Sequence, residues 1–382
     1  MALRTAAMPV AIFALTLAGV AVAAMGDGYT PFVLALVALA TVVGVGLNIL
    51  VGLTGQISIG HIGFYAIGAY SVGVITLKGV SFWLALPAAT TIAGLIGALL
   101  AVPAMRVAGP YLAMMTIAFA FIVEHVTIEW RAVTGGQNGL MNIVQPHFGG
   151  AFDGERGLAA LAVLIAGASL LFFCRLARGP MGKAMIAVRD SETAARAVGY
   201  NPVIVKTTAF ALSAAFTGLG GGVFASLMTF VAPSSFPFSQ SILFLLAVIV
   251  GGAGFTLGPL LGAIVIVVLP ELISSLAEYR LLLFGALLLV VLWLAPEGIL
   301  GTLARYLPRT SARPAGQDGF DLAAFLGAGD RLPLVVRSHY CVWRRQGGDR
   351  CRAHRRTSPR HGTDRSQRRR QDDCTQHDRR LL

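Results

Sequence analysis

From about Met8 to Leu300 the chain is a succession of apolar blocks, each close to the length that crosses a bilayer. A single long polar stretch, Arg175 to Lys206, divides them roughly in half. A helix spanning the hydrocarbon core needs about 20 mostly apolar residues, because lipid offers the backbone no hydrogen-bond partner. Measured against that length, spans fall near 8–25, 31–53, 60–77, 82–105, 109–129, 157–175, 207–230, 240–253, 258–275 and 281–295. The expected fold is therefore all-α, a polytopic transmembrane helical bundle of about eight to ten spans. The third block holds His61 and several glycines, and the eighth is short, so each is open to a reading as a half-helix or re-entrant segment.

Composition agrees with lipid as the solvent. Hydrophobic residues make up 56% of the chain and charged residues 13%, which excludes an ordinary soluble domain. The net charge of +12 is unevenly placed: residues 331–382 carry fifteen Arg against five Asp, a net of +10, which leaves +2 for the rest. The membrane part is nearly neutral, and the basic balance belongs to the tail. Residues 1–25 resemble a signal peptide that ends in an Ala-x-Ala pattern, but so many spans follow that cleavage is not required.

Orientation follows from where Lys and Arg collect, since cytoplasmic loops hold them in excess. With Arg4 and the N-terminus inside, Arg106 also falls inside, and so does the loop that carries Arg175, Arg178, Lys183, Arg189, Arg196 and Lys206. The opposite loops are poorer in cations, with Lys78, Arg131, Arg156 and Arg280 as exceptions. An even number of spans returns the C-terminus to the cytoplasm, so both termini are expected there.

Charges within the spans sit near their ends: Glu124, His125, Glu129 and Glu271. An ion-driven carrier or channel is the alternative reading, and a carrier of that kind is expected to hold an acidic or basic residue at mid-depth. None falls there convincingly, which favours an energy source outside the membrane. A membrane-embedded enzyme would need clustered nucleophile, base or metal ligands, and His61, His125 and His147 are too scattered to form one. No catalytic residue, metal site or cofactor is assigned. The 45 glycines cluster, as at Gly218 and Gly220 to Gly222, in the manner of close helix packing. Gly251-Gly252-Ala253-Gly254 could instead break a span near a pathway.

The run Gly46-Leu47-Asn48-Ile49-Leu50-Val51-Gly52-Leu53-Thr54-Gly55-Gln56-Ile57-Ser58-Ile59-Gly60-His61, continued by Gly63 to Tyr70, resembles the signature of branched-chain amino acid ABC-transporter permeases. So do Gly109-Pro110-Tyr111-Leu112-Ala113, Thr134-Gly135-Gly136-Gln137-Asn138-Gly139-Leu140, Phe210 to Gly222, Val250 to Gly258 and Pro270 to Arg280. The resemblance runs from about residue 30 to 302 and is nearest to the M-type subunit of the bacterial inner membrane. It implies an importer of branched-chain amino acids, or related small amino acids and amides. The importer would comprise a homologous second permease, two cytoplasmic ABC ATPases and a periplasmic substrate-binding protein, all within membrane lipid.

The resemblance also implies an ATPase-coupling loop at Arg189, Asp190, Glu192, Ala194, Ala195 and Gly199. A short amphipathic helix with small residues on one face can seat in a groove of the ATPase, and Gly199 can end it in a left-handed cap. Asn48, Gln56, Ser58, His61 and Tyr65 are polar residues in or beside glycine-rich spans. They are candidates for the translocation pathway, or for hydrogen bonds between helices.

Three regions are expected: a permease domain at 1–302, a cytoplasmic linker at 303–337, and a non-native Arg-rich tail at 338–382. The tail has no hydrophobic periodicity. A choice of synonymous codons for Thr363 to Leu382, read one base later, gives Leu-Ile-Gly-Pro-Asn-Gly-Ala-Gly-Lys-Thr-Thr, a phosphate-binding loop of an ABC ATPase. A frameshift near Arg337 in a gene that fuses permease to ATPase is the expected origin. The arginines could bind lipid headgroups or nucleic acid without specificity, and no specific nucleic-acid partner is expected.

Overall fold

The computed structural model describes residues 2–26, 28–105, 109–146, 154–272 and 298–306, together with Gly285; side chains are described from Met8 to Glu271 within these segments and for 298–302. The chain divides into two units, Met1–Thr310 and Ser311–Leu382. The second unit lies outside the described residues. So do the expected span at 281–295, Arg106, His147, Arg280, and all but the first four residues of the expected linker.

The first unit is a bundle of membrane-length helices. Seven apolar helical stretches among the described residues are long enough to cross a bilayer, and two shorter ones accompany them. In chain order they are α1 (Ala2–Met25), α2 (Thr30–Asn48, prolonged by a π-helical turn at Ile49–Thr54), α3 (His61–Leu77), α4 (Phe82–Ala104) and α5 (Pro110–Glu129). There follow the short α6 (Arg131–Thr134), α7 (Glu155–Arg178), α8 (Pro180–Asp190), α9 (Glu192–Ala197), α10 (Pro202–Met228), α11 (Phe238–Gly251), α12 (Gly258–Leu272) and α13 (Gly298–Tyr306). Five of these helices carry proline in the first turn, at Pro31, Pro110, Pro180, Pro202 and Pro259. There the missing N–H has no partner to lose, and the fixed φ favours helix entry.

α2 and α10 are the hubs. α2 packs against α7, α10, α11 and α12, while α10 packs against α3 and α4 as well. Small residues set these distances. A Cβ on Gly68 of α3 would overlap the Gly218 carbonyl of α10, and one on Gly221 would overlap the Tyr65 carbonyl. Gly251 and Gly262 hold α11 and α12 together in the same way, against Gly258 and the Ala247 carbonyl. In a bilayer, where apolar side chains gain nothing by leaving lipid, such backbone approach is a principal source of helix association.

The third block departs from a plain span. α2 ends in its π turn, Gly55 adopts a left-handed conformation at φ 68°, and residues 56–60 run without helical structure until α3 begins at His61. Gln56, Ser58 and Gly60 are buried there. Irregular backbone at membrane depth survives only when the protein supplies its hydrogen bonds. Two hydroxyls from neighbouring helices do so: the Ile59 N–H donates to Thr116 Oγ1 of α5 at 3.1 Å, and Ser241 Oγ of α11 donates to the Ile59 carbonyl. Outside the helices, Leu140 and Val231 form an isolated antiparallel bridge that ties the loop after α6 to the loop after α10.

Candidate functional site

The polar stretch between α7 and α10 folds as two helices rather than one. The break falls at Ser191, whose hydroxyl accepts the Ala194 N–H at 3.3 Å and so caps α9. This is the ordinary role of serine just before a helix, and Ser191 followed by Glu192 carried that signal. At the other end Gly199 takes φ 93°, its N–H donates to the Arg196 carbonyl at 3.0 Å, and the Tyr200 N–H donates to the Ala195 carbonyl at 3.0 Å. These two bonds make a Schellman cap, in which glycine supplies the left-handed conformation that a side chain disfavours.

The two helices bury different faces. α8 turns Gly182, Ala184, Met185 and Val188 into a core shared with Leu50 and Leu53 of the π turn, Phe173 of α7 and Phe210 of α10. α9 buries only Ala195, and leaves Ala194, Ala197 and Val198 exposed. Glu192 pairs with Lys206 at the start of α10. Arg189, in the last turn of α8, reaches across and donates from Nη1 to the Gly52 carbonyl at 2.6 Å. Asp190, Glu192 and Gly199 are exposed.

The polar residues of the glycine-rich run form two hydrogen-bonded groups. Asn48 uses both ends of its amide on the turn between α11 and α12: it accepts the Gly254 N–H at 2.7 Å and donates to the Phe255 carbonyl at 3.0 Å. The other group surrounds His61, which is fully buried. Its Nδ1 is 3.0 Å from Ser58 Oγ and its Nε2 is 2.7 Å from Ser213 Oγ of α10, so both ring nitrogens are engaged. Gln56 accepts from Thr54 Oγ1 at 3.3 Å.

Tyr65 is placed differently. It lines a cavity of about 350 Å³ enclosed by α2, α3, α10, α11 and α12. The rim carries Tyr29, Ser235, Gln240 and Glu271, all at helix ends remote from α8 and α9. The floor is apolar and aromatic, with Leu39, Phe224, Phe244 and Val267 beside Tyr65. From Tyr29 to the depth of Ala40 is eleven residues of helix, or about 16 Å at 1.5 Å per residue. Glu271, Gln240 and Tyr29 were not singled out from the sequence as site residues, since nothing local marks them. Among the described residues no group of three His, Cys, Asp or Glu side chains is arranged to hold a metal ion.

Residues 29–292 match the model of the family described as branched-chain amino acid transport system / permease component. The chain belongs to this family. Two relatives of this permease are high-affinity branched-chain amino acid transport system permease proteins LivM. The one from Salmonella typhimurium is 35% identical over 301 residues, covering 72% of this chain and 71% of its own. The one from Escherichia coli is 37% identical over 284 residues, covering 68% and 67%. A probable LivM protein of Methanocaldococcus jannaschii is 26% identical over 57% of this chain and 67% of its own. No solved structure matches the permease. Family and helices together make it a multi-pass protein of the bacterial inner membrane.

Proposed function

We propose that this permease forms the membrane passage of an ABC importer for branched-chain amino acids or related small amino acids and amides, with no catalytic site of its own. ATP hydrolysis occurs on two cytoplasmic partner ATPases, a homologous second permease completes the passage, and a periplasmic protein delivers the solute. The N-terminus, α8, α9 and the C-terminus face the cytoplasm, a reading supported by the cations gathered in that loop.

The observation that carries the coupling is the construction of α9 and its neighbour. α9 is capped at both ends, exposes a small apolar surface, and is tied by Glu192 to Lys206 of α10. Force applied to it therefore enters α10 directly, and passes into α8 through Ser191. From α8, Arg189 hands it to the π turn at Gly52. One turn earlier Asn48 grips the turn between α11 and α12. The π turn is suited to this task, since such turns store a local irregularity and recur at functional sites. Asn48, Gln56, Ser58 and His61 serve on this reading as the hydrogen-bonded frame of the passage, and Tyr65 as part of its wall.

Cysteine-specific crosslinking tests the assignment: a probe on Thr193, in the complete complex, should capture an ATPase subunit in an ATP-dependent manner. Capture of no ATP-hydrolysing partner would end it. For the rest of the chain we retain a permease domain at 1–302, a linker at 303–337 and a frameshifted ATPase start from 338. The family match ending at residue 292 supports the first boundary. Resequencing the locus decides the last, and a clean read with no ATPase frame beyond codon 337 would refute it.

A further inference from the structure

The cavity between α2, α10, α11 and α12 has the chemistry of a receptor for one kind of solute. Its only charged lining side chain among the described residues is Glu271, at the rim. Gln240 and Tyr29 line the same cavity, and the wall then becomes aliphatic and aromatic down to Tyr65, Phe244 and Val267. The Tyr65 ring is held edge-on by Phe236 and Phe244 and tilted against Phe224. Tyr65 is 6% exposed, and its phenol is the polar group on an otherwise apolar floor. A hydroxyl there is a donor toward a polar solute group that enters.

We propose that this cavity is a solute-binding site within the permease that selects an aliphatic amino acid by its ammonium group. Glu271 receives the ammonium, Gln240 and Tyr29 offer N–H and O–H donors to the carboxylate, and the branched side chain descends among Val267 and Phe244. The assignment rests on the importer reading and adds to it a place and an order of recognition. Among the described residues the rim carries one carboxylate and no lysine or arginine, a charge that repels free carboxylic acids and admits amines. Small-molecule sites generally combine an apolar cleft with a few converging polar groups in this manner, and the volume falls in their usual range of about 300–1,000 Å³. Depth matters as well: the floor lies near the middle of the bundle, where carriers and importers must hold solute during the switch of access.

The experiment is equilibrium binding of radiolabelled L-leucine to the purified permease–ATPase complex without its binding protein, followed by uptake in proteoliposomes with the binding protein added. In the binding assay 3-methylbutylamine, which keeps the ammonium, should displace leucine, and 4-methylpentanoate, which keeps the carboxylate, should not. Glu271→Gln should weaken leucine about tenfold or more, the scale of one charge-assisted hydrogen bond. Tyr65→Phe should weaken it severalfold, with thermal unfolding of the complex unchanged in both variants. No leucine binding by the unaltered complex, equal binding by Glu271→Gln, or displacement by the acid rather than the amine would each overturn the site. ATP-driven uptake separates the two readings. If the unaltered complex imports leucine while Glu271→Gln matches it in KM and kcat, the cavity assignment falls alone. If the unaltered complex imports nothing, the importer reading falls with it.

Discussion

Arg189 and Gly52 are 137 residues apart in sequence, and the guanidinium of the first donates a 2.6 Å hydrogen bond to the backbone carbonyl of the second. That carbonyl belongs to the π turn in which α2 ends, and the guanidinium belongs to the last turn of α8. The bond therefore joins a surface helix to the most buried of the membrane-length helices among the described residues.

Removing the bond should disconnect the two without unfolding either. Arg189→Ala is expected to lower solute-stimulated ATP hydrolysis by roughly fivefold or more, the lower end of measured coupling between distant sites. Basal hydrolysis should be unchanged. A malachite-green assay on the reconstituted complex, with and without loaded binding protein, reads both. Unaltered stimulation would remove Arg189 from the path.

Asn48→Ala removes the partner of the Gly254 N–H and one of two donors to the Phe255 carbonyl, which keeps the Gly258 N–H, in a partly buried setting. A typical intramolecular hydrogen bond contributes about 0.5–1.5 kcal/mol. Thermal unfolding in detergent should shift down accordingly, and Asn48→Asp should not rescue it, because a carboxylate cannot donate to the Phe255 carbonyl. Rescue by Asp would contradict the two-ended bond.

Glu192 and Lys206 form an ion pair at the protein surface, where such pairs contribute only about 0–1 kcal/mol. Glu192→Ala should thus leave the unfolding temperature almost unmoved while transport drops. Combining Glu192→Lys with Lys206→Glu should restore transport in part. Uptake kinetics and differential scanning fluorimetry on the same preparations check it.

Gly60 has the Thr116 carbonyl where a Cβ would stand, whereas a Cβ on Gly94 of α4 meets Ala215 at 3.3 Å. Gly60→Ala is expected to abolish a monodisperse preparation. Gly94→Ala should be tolerated, since alanine regains about 1 kcal/mol of helix propensity. Size-exclusion profiles of the two proteins decide it.

The spans were legible because lipid dictates their length. The apolar blocks at 31–53, 82–105 and 109–129 correspond to α2 with its π turn, α4 and α5 to within a residue or two. The gap left between the blocks 31–53 and 60–77 falls on the unwound stretch 55–60, but local sequence did not carry what holds it. Gln56-Ile57-Ser58-Ile59-Gly60 reads as the edge of an apolar block, and only the hydroxyls of Thr116 and Ser241, brought from α5 and α11, let it remain unwound. Asn48 was conspicuous as a polar residue in a glycine-rich run, but its partners are more than 200 residues away. The cavity was invisible for the same reason. Tyr65 drew notice through its neighbours in the signature run, and Glu271 only as a charge near the end of a span. Their meeting on one cavity wall is a property of how α3 and α12 pack around α2.

Where α3 faces α10, carbonyl oxygens occupy the room that methyl groups would fill elsewhere. Such a joint has no compliant layer, so neither helix can creep along the other without backbone colliding with backbone. On the proposed importer reading, α3, α4 and α10 travel as a single plank, and opening and closing is a tilt of that plank against the separately cemented pair α11 and α12.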